Sequence, residues 1–172
     1  PNIGHAFVEK IVNLKKKENF LITQNIDGLH QRSGVPEDKI IEIHGNAIES
    51  KCLNCDKKAD ILDFHAAILA NDPLPKCINC GGIVKVATIS FGQPMNENDM
   101  LRASNLSSEC DLMIVMGSSL SVMPAGQIPN LAIQSGAKLV ILNREETIYD
   151  AMADIVINDE LKTICSELIK LF

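Results

Sequence analysis

Cys52-Leu53-Asn54-Cys55 and Cys77-Ile78-Asn79-Cys80 constrain this chain more than any other feature of its sequence. Within each pair the spacing closes a tight turn around one face of a tetrahedron. Together the pairs supply four thiolates, a set that satisfies Zn²⁺ and leaves no open coordination position. Residues 56–76 lie between the pairs and leave room for a helical stretch over Asp60–Ala70. Redox disulfides are the competing reading; paired Cys-x-x-Cys motifs in a chain without a leader favour zinc. Residues 47–83 are therefore expected to form a small module around one structural ion that stabilises and does not catalyse. Cys110 and Cys165 lie far from both pairs, and both read as reduced structural cysteines.

On either side of that module the sequence alternates short apolar runs with helical patterns. Phe20-Leu21-Ile22, Ile40-Ile41-Glu42-Ile43, Lys85–Phe91, Asp111–Met116, Lys138–Leu142 and Asp154–Ile157 read as strands. The run Leu112–Met116 is continuously apolar, as expected of a parallel strand covered on both faces. Ile3, Phe7, Ile11 and Leu14 share one helical face, which predicts an opening helix over residues 3–17. Further helices are expected over residues 97–107, after Pro124-Ala125-Gly126, and on the stripe Leu161, Ile164, Cys165, Leu168 and Ile169. This alternation predicts an α/β fold: a Rossmann-like, doubly wound parallel sheet with right-handed crossovers. Its domain takes residues 1–46 and 84–172, with the four-cysteine zinc module of residues 47–83 inserted.

Composition narrows the function classes. Aromatic residues are only 3% of the chain and Trp is absent, so the core must be aliphatic. A net charge of −6 with no basic stripe makes nucleic acid a poor partner. No apolar run approaches the roughly 20 residues of a membrane span. Thiol usage and the missing leader predict a cytoplasmic protein.

Three stretches carry candidate chemistry. Thr23-Gln24-Asn25-Ile26-Asp27-Gly28-Leu29-His30 follows an apolar strand, where open α/β sheets place their ligands. Its amide and carboxylate side chains can orient a ribose, a carboxamide or a water, or the Asp-Gly pair can simply make a polar turn. His44-Gly45 ends a strand, where a histidine can move protons or serve as a hydrogen-bonded structural residue. Gly117-Ser118-Ser119-Leu120 joins a strand to a helix, a place where backbone N–H groups approach phosphate or ribose.

Taken together, and in this order along the chain, these residues resemble the sirtuin family of NAD-dependent protein deacylases. Pro1-Asn2 with His5, Phe91-Gly92, Pro124-Ala125 and Asn143 complete the match. The resemblance implies that Gln24 and Asn25 line the nicotinamide-ribose pocket, Asn25 also holding an ordered water. Asp27 would bond the nicotinamide carboxamide, and His44 would be the general base toward a ribose hydroxyl. Ile89, Phe91 and Gly92 would form the edge that pairs with an acyl-lysine peptide, with Phe91 walling the acyl chain. Gly117, Ser118 and Ser119 would sit at the phosphates and adenosine ribose, and Asn143 at the ribose hydroxyls. Cys52, Cys55, Cys77 and Cys80 would hold the Zn²⁺. The implied reaction is removal of acetyl or other acyl groups from protein lysines, giving nicotinamide and O-acyl-ADP-ribose.

The chain departs from that family pattern in two places. Gln93 stands where the family usually has Glu. No Gly-Ala-Gly-Ile-Ser loop and no Gly-Ile-Pro-Asp-Phe-Arg segment occur, and in the family both come before the position of Pro1. The expectation is a sheet without its first strand and phosphate-cradling Gly-rich loop, and a chain that binds NAD weakly and turns over little or not at all, its parent protein being the deacylase. Two other activities compete: a zinc-stabilised acyl-peptide-binding module without catalysis, and NAD-dependent protein ADP-ribosyl transfer.

Overall fold

A computed structural model describes residues 1–15, 17–70 and 74–172, and all their side chains except that of Ala67. In chain order the elements are α1 (Ile3–Val12), β1 (Leu21–Thr23), α2 (Leu29–Arg32), β2 (Ile40–Glu42), β3 (Gly45–Cys52), β4 (Lys58–Asp60) and α3 (Ile61–Leu69). After these come β5 (Val84–Thr88), α4 (Glu97–Glu109), β6 (Leu112–Met116), α5 (Ile128–Gln134), β7 (Lys138–Leu142), β8 (Ile155–Ile157) and α6 (Leu161–Leu168). They divide into two compact units: Pro1–Ile22, Leu29–Ile41 and Asn96–Phe172 in the first, Thr23–Gly28 and Glu42–Met95 in the second. Strands β1 and β2 pair in a two-stranded sheet of their own.

The first unit holds the parallel sheet β6-β7-β8. Leu112 pairs with Lys138 and Met116 with Leu142, while Val140 pairs with Ile155 and Leu142 with Ile157. β7 lies in the middle, and the period-2 alternation of its side chains explains why it is apolar from Leu139 to Leu142. Leu139 and Ile141 enter one cluster with Val115, Leu120 and Tyr149. Val140 and Leu142 face the other way, into a cluster with Phe7 of α1 and Ile164 and Cys165 of α6. A parallel sheet needs both faces covered, and helices supply the cover as the sequence pattern predicts.

α1 is shorter than its apolar stripe. At its start the Asn2 side chain accepts the N–H groups of Gly4 and His5, at 2.9 and 3.2 Å, while His5 Nδ1 accepts the Asn2 N–H. Such a reciprocal cap satisfies donors that have no partner in the first turn. At its end Asn19 Nδ2 donates to the Ile11 carbonyl at 3.1 Å, and Lys39 Nζ donates to the Val12 carbonyl at 3.1 Å. Distant side chains thus take the carbonyls that a continuing helix would use, so it stops at Val12 rather than near Lys17; Lys16 lies outside the described residues.

The second unit is antiparallel, in the order β4-β3-β5. β3 is central: Lys51 pairs with Lys58 on one side, while Lys51 and Cys52 pair with Lys85 and Val84 on the other. The pairing of β3 with β5 is irregular between Gly45 and Ser50. α3 begins one residue into its expected range because the Asp60 side chain accepts the Leu62 N–H at 2.7 Å. Among the described residues no helix is long and apolar enough to cross a membrane.

The two β strands at the heart of the first unit differ in how much a truncation should matter. Ile141 is fully buried and Leu112, on the neighbouring strand, is 47% exposed. Ile141→Ala is expected to lower stability by about 2–5 kcal/mol and Leu112→Ala by under about 1 kcal/mol, read as urea unfolding midpoints.

Candidate functional site

The loop after β1 is held by its backbone. Thr23 Oγ1 accepts the Asn25 N–H at 3.1 Å, a short side-chain turn that bends the chain as soon as the strand ends. The Thr23 carbonyl accepts the Ile43 N–H at 3.1 Å, and the Ile26 carbonyl accepts the Ala47 N–H at 2.7 Å. These bonds strap Thr23–Gly28 to the segment that carries His44. Asn25 and Asp27 are exposed and Gln24 is half-buried.

His44 is brought against this loop. Its Nδ1 lies 3.2 Å from the carbonyl oxygen of Gln24. A carbonyl can only accept, so this contact assigns the proton to Nδ1 and leaves the lone pair on Nε2. An imidazole in that tautomer is equipped to take a proton at Nε2. The His44 carbonyl in turn accepts the Ile89 N–H at 2.8 Å, which sets the residues after β5 beside the histidine.

Gly45 makes that arrangement possible. Its φ is +69°, and a Cβ there would fall 2.0 Å from the Ala87 carbonyl oxygen. Only a residue without a side chain allows β5 to come this close. Next to it, buried Asn46 ties the irregular start of β3 together. Its Nδ2 donates to Glu42 and Glu49 carboxylates at 2.8 and 3.0 Å, and its Oδ1 accepts the N–H groups of Ile48 and Glu49. Sequence reasoning passes over Asn46 because nothing local separates a buried amide from a turn residue.

The four predicted cysteines converge. The sulfurs of Cys52 and Cys80 are 3.5 Å apart, those of Cys55 and Cys77 are 3.7 Å apart, and all four lie within 4.8 Å of one another. Zn–S bonds of about 2.3 Å in a tetrahedron place sulfurs roughly 3.8 Å apart, so the donor set fits that ion. The separations are too long for disulfides, and all four thiols are free. Both asparagines of the motifs face sulfur: the Asn54 N–H donates to Cys52 Sγ at 3.4 Å and Asn79 Nδ2 to Cys55 Sγ at 3.8 Å.

Electrostatics match a shared charge. The Lys57 N–H, then the neighbouring Cys80 thiol, draw the Cys55 thiol down to about 6. At Cys80 the Gly82 N–H acts in the same sense, but the Cys55 and Cys52 sulfurs prevail and push its thiol up to about 12. Packed sulfurs ionise unequally by themselves, whereas a divalent cation lets all four ionise.

In the first unit the carboxyl ends of β6 and β7 border a cavity of about 300 Å³, lined by Gly117, Ser119, Asn143, Arg144, Glu145, Glu160 and Leu161. Asn143 is almost fully buried and its Nδ2 donates to the Glu145 carbonyl at 2.7 Å. Arg144 forms ion pairs with Glu145 at 3.1 Å and Glu160 at 3.3 Å. Hydrogen bonds to Glu145 and Glu160 raise its pKa. Of the predicted residues here, Gly117, Ser119 and Asn143 share the cavity. Ser118 does not line it; its Oγ accepts the Leu120 N–H at 3.2 Å and shapes the turn. Glu160 and Leu161 come from the start of α6, and no local signal marks them as cavity residues.

A model of the Sir2 family matches residues 1–124. The chain is 44% identical over 161 residues to NAD-dependent protein deacetylase 1 of Bradyrhizobium diazoefficiens, covering 94% of this chain and 63% of that protein. It is 45% identical to an NAD-dependent protein deacetylase of Rhodopseudomonas palustris, again covering 94% of this chain and 63% of the relative. The chain thus spans less than two thirds of the length of these relatives. A solved structure of Sir2 bound to acetylated peptide superposes with a TM-score of 0.90 at 36% identity, covering 99% of this chain and 70% of that one. A structure of Sir2 with p53 peptide and NAD⁺ gives 0.89 at the same identity and coverage.

Two measurements test the second unit. Co²⁺ added to the reduced chain should saturate at one ion per chain with the absorption of a tetrahedral thiolate site, and Cys77→Ser should abolish that spectrum. Gly45→Ala should cost about 2 kcal/mol or more in urea unfolding, far beyond an ordinary glycine-to-alanine change.

Proposed function

The chain belongs to the Sir2 family, and from that premise we propose that it is the site-bearing part of an NAD-dependent protein lysine deacylase. The observation that carries this reading is His44, whose Nδ1 is turned onto the Gln24 carbonyl at 3.2 Å beside Asn25 and Asp27. Support also comes from relatives named NAD-dependent protein deacetylases and from related structures that hold acetylated peptide or NAD⁺.

The dinucleotide supplies the ribosyl carbon and nicotinamide as its leaving group. The residues of this chain bind, orient and receive a proton. His44 Nε2 takes the proton of a ribose hydroxyl, activating that oxygen at the acyl group. Gln24 and Asn25 line the nicotinamide ribose, and Asp27 bonds the carboxamide. Gly117, Ser118 and Ser119 lie at the phosphates and adenosine ribose, with Asn143 at the ribose hydroxyls. Ile89, Phe91 and Gly92 offer the peptide its edge, where backbone pairing gives affinity and the pocket reads the acyl chain. The chemistry is mostly positioning, because the reactants carry the reactive bonds.

Cys52, Cys55, Cys77 and Cys80 hold Zn²⁺ with every coordination position filled by thiolate, which leaves the ion a structural role. Residues 47–83 are its module, and residues 1–46 and 84–172 belong to the dinucleotide-binding domain. Six free thiols fit a reducing compartment such as the cytoplasm.

Nicotinamide release from NAD with an acetyl-lysine peptide tests the reading. His44→Ala should lower the rate about 10²–10⁴-fold, and the peptide should lose its acetyl group in step with nicotinamide. Release that survives His44→Ala overturns the assignment of the base. ADP-ribosylated protein as the product would replace deacylation with transfer to another acceptor.

A further inference from the structure

The turn after β5 holds an aromatic ring out in water. Gln93 donates its N–H to the Ser90 carbonyl at 2.9 Å, closing a four-residue turn over Ser90–Gln93. Gly92 has φ +80° and Phe91 lies outside the left-handed region, which makes this a type II turn with Phe91 at its second position. Phe91 is 99% exposed. A ring displayed so fully opposes the hydrophobic effect, and a loose loop would fold it down onto apolar surface.

One ammonium group keeps the turn from doing so. Lys85 Nζ, on β5, donates to the Thr88 carbonyl at 2.8 Å, to Ser90 Oγ at 3.3 Å and to Gln93 Oε1 at 2.9 Å. Those three acceptors use the full donor capacity of a lysine. Gln93 Oε1 also accepts the Ser90 N–H at 3.3 Å, so one amide oxygen bridges the ammonium and the first residue of the turn. Lys85 therefore ties the strand end to both ends of the turn that carries Phe91. Thr88 is half-buried and Ser90 and Gln93 are exposed, and hydrogen bonds to a charged donor remain worth more than neutral ones.

We propose that Lys85 and Gln93 form a latch that holds the Ser90–Gln93 turn outward, so that Phe91 is preset to receive the apolar acyl portion of a lysine side chain. This rests on the reading of Ile89–Gly92 as the peptide edge. Both are positioning residues: they act through Phe91 and touch no reacting atom. Their contribution is preorganisation, the ordering of a ligand-binding loop before the ligand arrives.

The test uses the whole chain with two readouts. ¹⁵N relaxation gives the order parameters of Phe91 and Gly92, and fluorescence anisotropy gives the affinity for an acetyl-lysine peptide. In the wild-type chain both amides should show the roughly 0.85 of rigid backbone. Lys85→Met and Gln93→Met should each bring them toward about 0.6 and weaken peptide binding roughly tenfold. The double variant should be no weaker than either single one, because the two changes break one latch. Gln93→Glu, which keeps the acceptor, should retain wild-type order and affinity. Unchanged order parameters in Lys85→Met, or losses that multiply in the double variant, overturn the latch. Order that falls as expected in a chain that binds no acyl-lysine peptide overturns instead the peptide-edge reading and, with it, the ligand assigned to Phe91.

Discussion

The backbone ladder between β3 and β5 is the interaction on which the second unit depends. At one end Cys52 pairs with Val84, a few residues after Cys77–Cys80. At the other end Gly45 pairs with Thr88 and the His44 carbonyl accepts the Ile89 N–H. A metal held by the four thiols would staple the end of β3 to the start of β5. A thiolate site that takes no part in chemistry can thereby set the register that delivers His44 and the turn of Phe91. Because side chains alternate along a strand, a slip of one residue would invert every side chain that follows. Gly45 marks the closest approach of that ladder, where any Cβ would meet the Ala87 carbonyl oxygen.

Polar groups near the histidine are fixed in ways that favour one protonation geometry. The Gln24 carbonyl selects the Nδ1–H tautomer of His44. Asn46 satisfies the two N–H groups that the irregular stretch of β3 leaves out of the ladder, and it holds two carboxylates as well. A buried amide with its donors and acceptors all engaged is stabilising; the same amide half-satisfied would be a liability. In the first unit Arg144 spans Glu145 and Glu160 at the rim of the cavity, where solvent screening keeps each pair weak. Its value there is to fix the rim's shape and charge more than to add stability.

Much of this was legible in the sequence for identifiable reasons. The cysteine spacing carries its own geometry, so Cys52, Cys55, Cys77 and Cys80 could be grouped before any fold was known. β6 and β7 were visible because parallel strands covered on both faces must be apolar at every position, and Leu139 to Leu142 satisfy both clusters. β3 was not visible. Its central place in the ladder comes from partners on both sides, while its own residues, Gly45–Cys52, show no apolar alternation. The early end of α1 was hidden for a related reason: Asn19 and Lys39 take its last carbonyls, and the stripe of apolar residues carries no trace of either. Ser119 lines the cavity while the Ser118 hydroxyl turns back to the Leu120 N–H, a division between neighbours that adjacency in the sequence does not show.

The sequence by itself determined the apolar strands of the parallel sheet, the grouping of the four cysteines and the family, because each is written in local spacing or in an ordered series of short motifs. Only the tertiary structure decided which nitrogen of His44 is free, why residue 45 must be glycine, that Asn46 holds the start of β3, and that Lys85 reaches Gln93. The reason is physical. Periodicity reports which face of an element is buried. A hydrogen bond between distant residues depends on where two chain segments meet, and that is settled by packing and register, which short-range pattern does not encode.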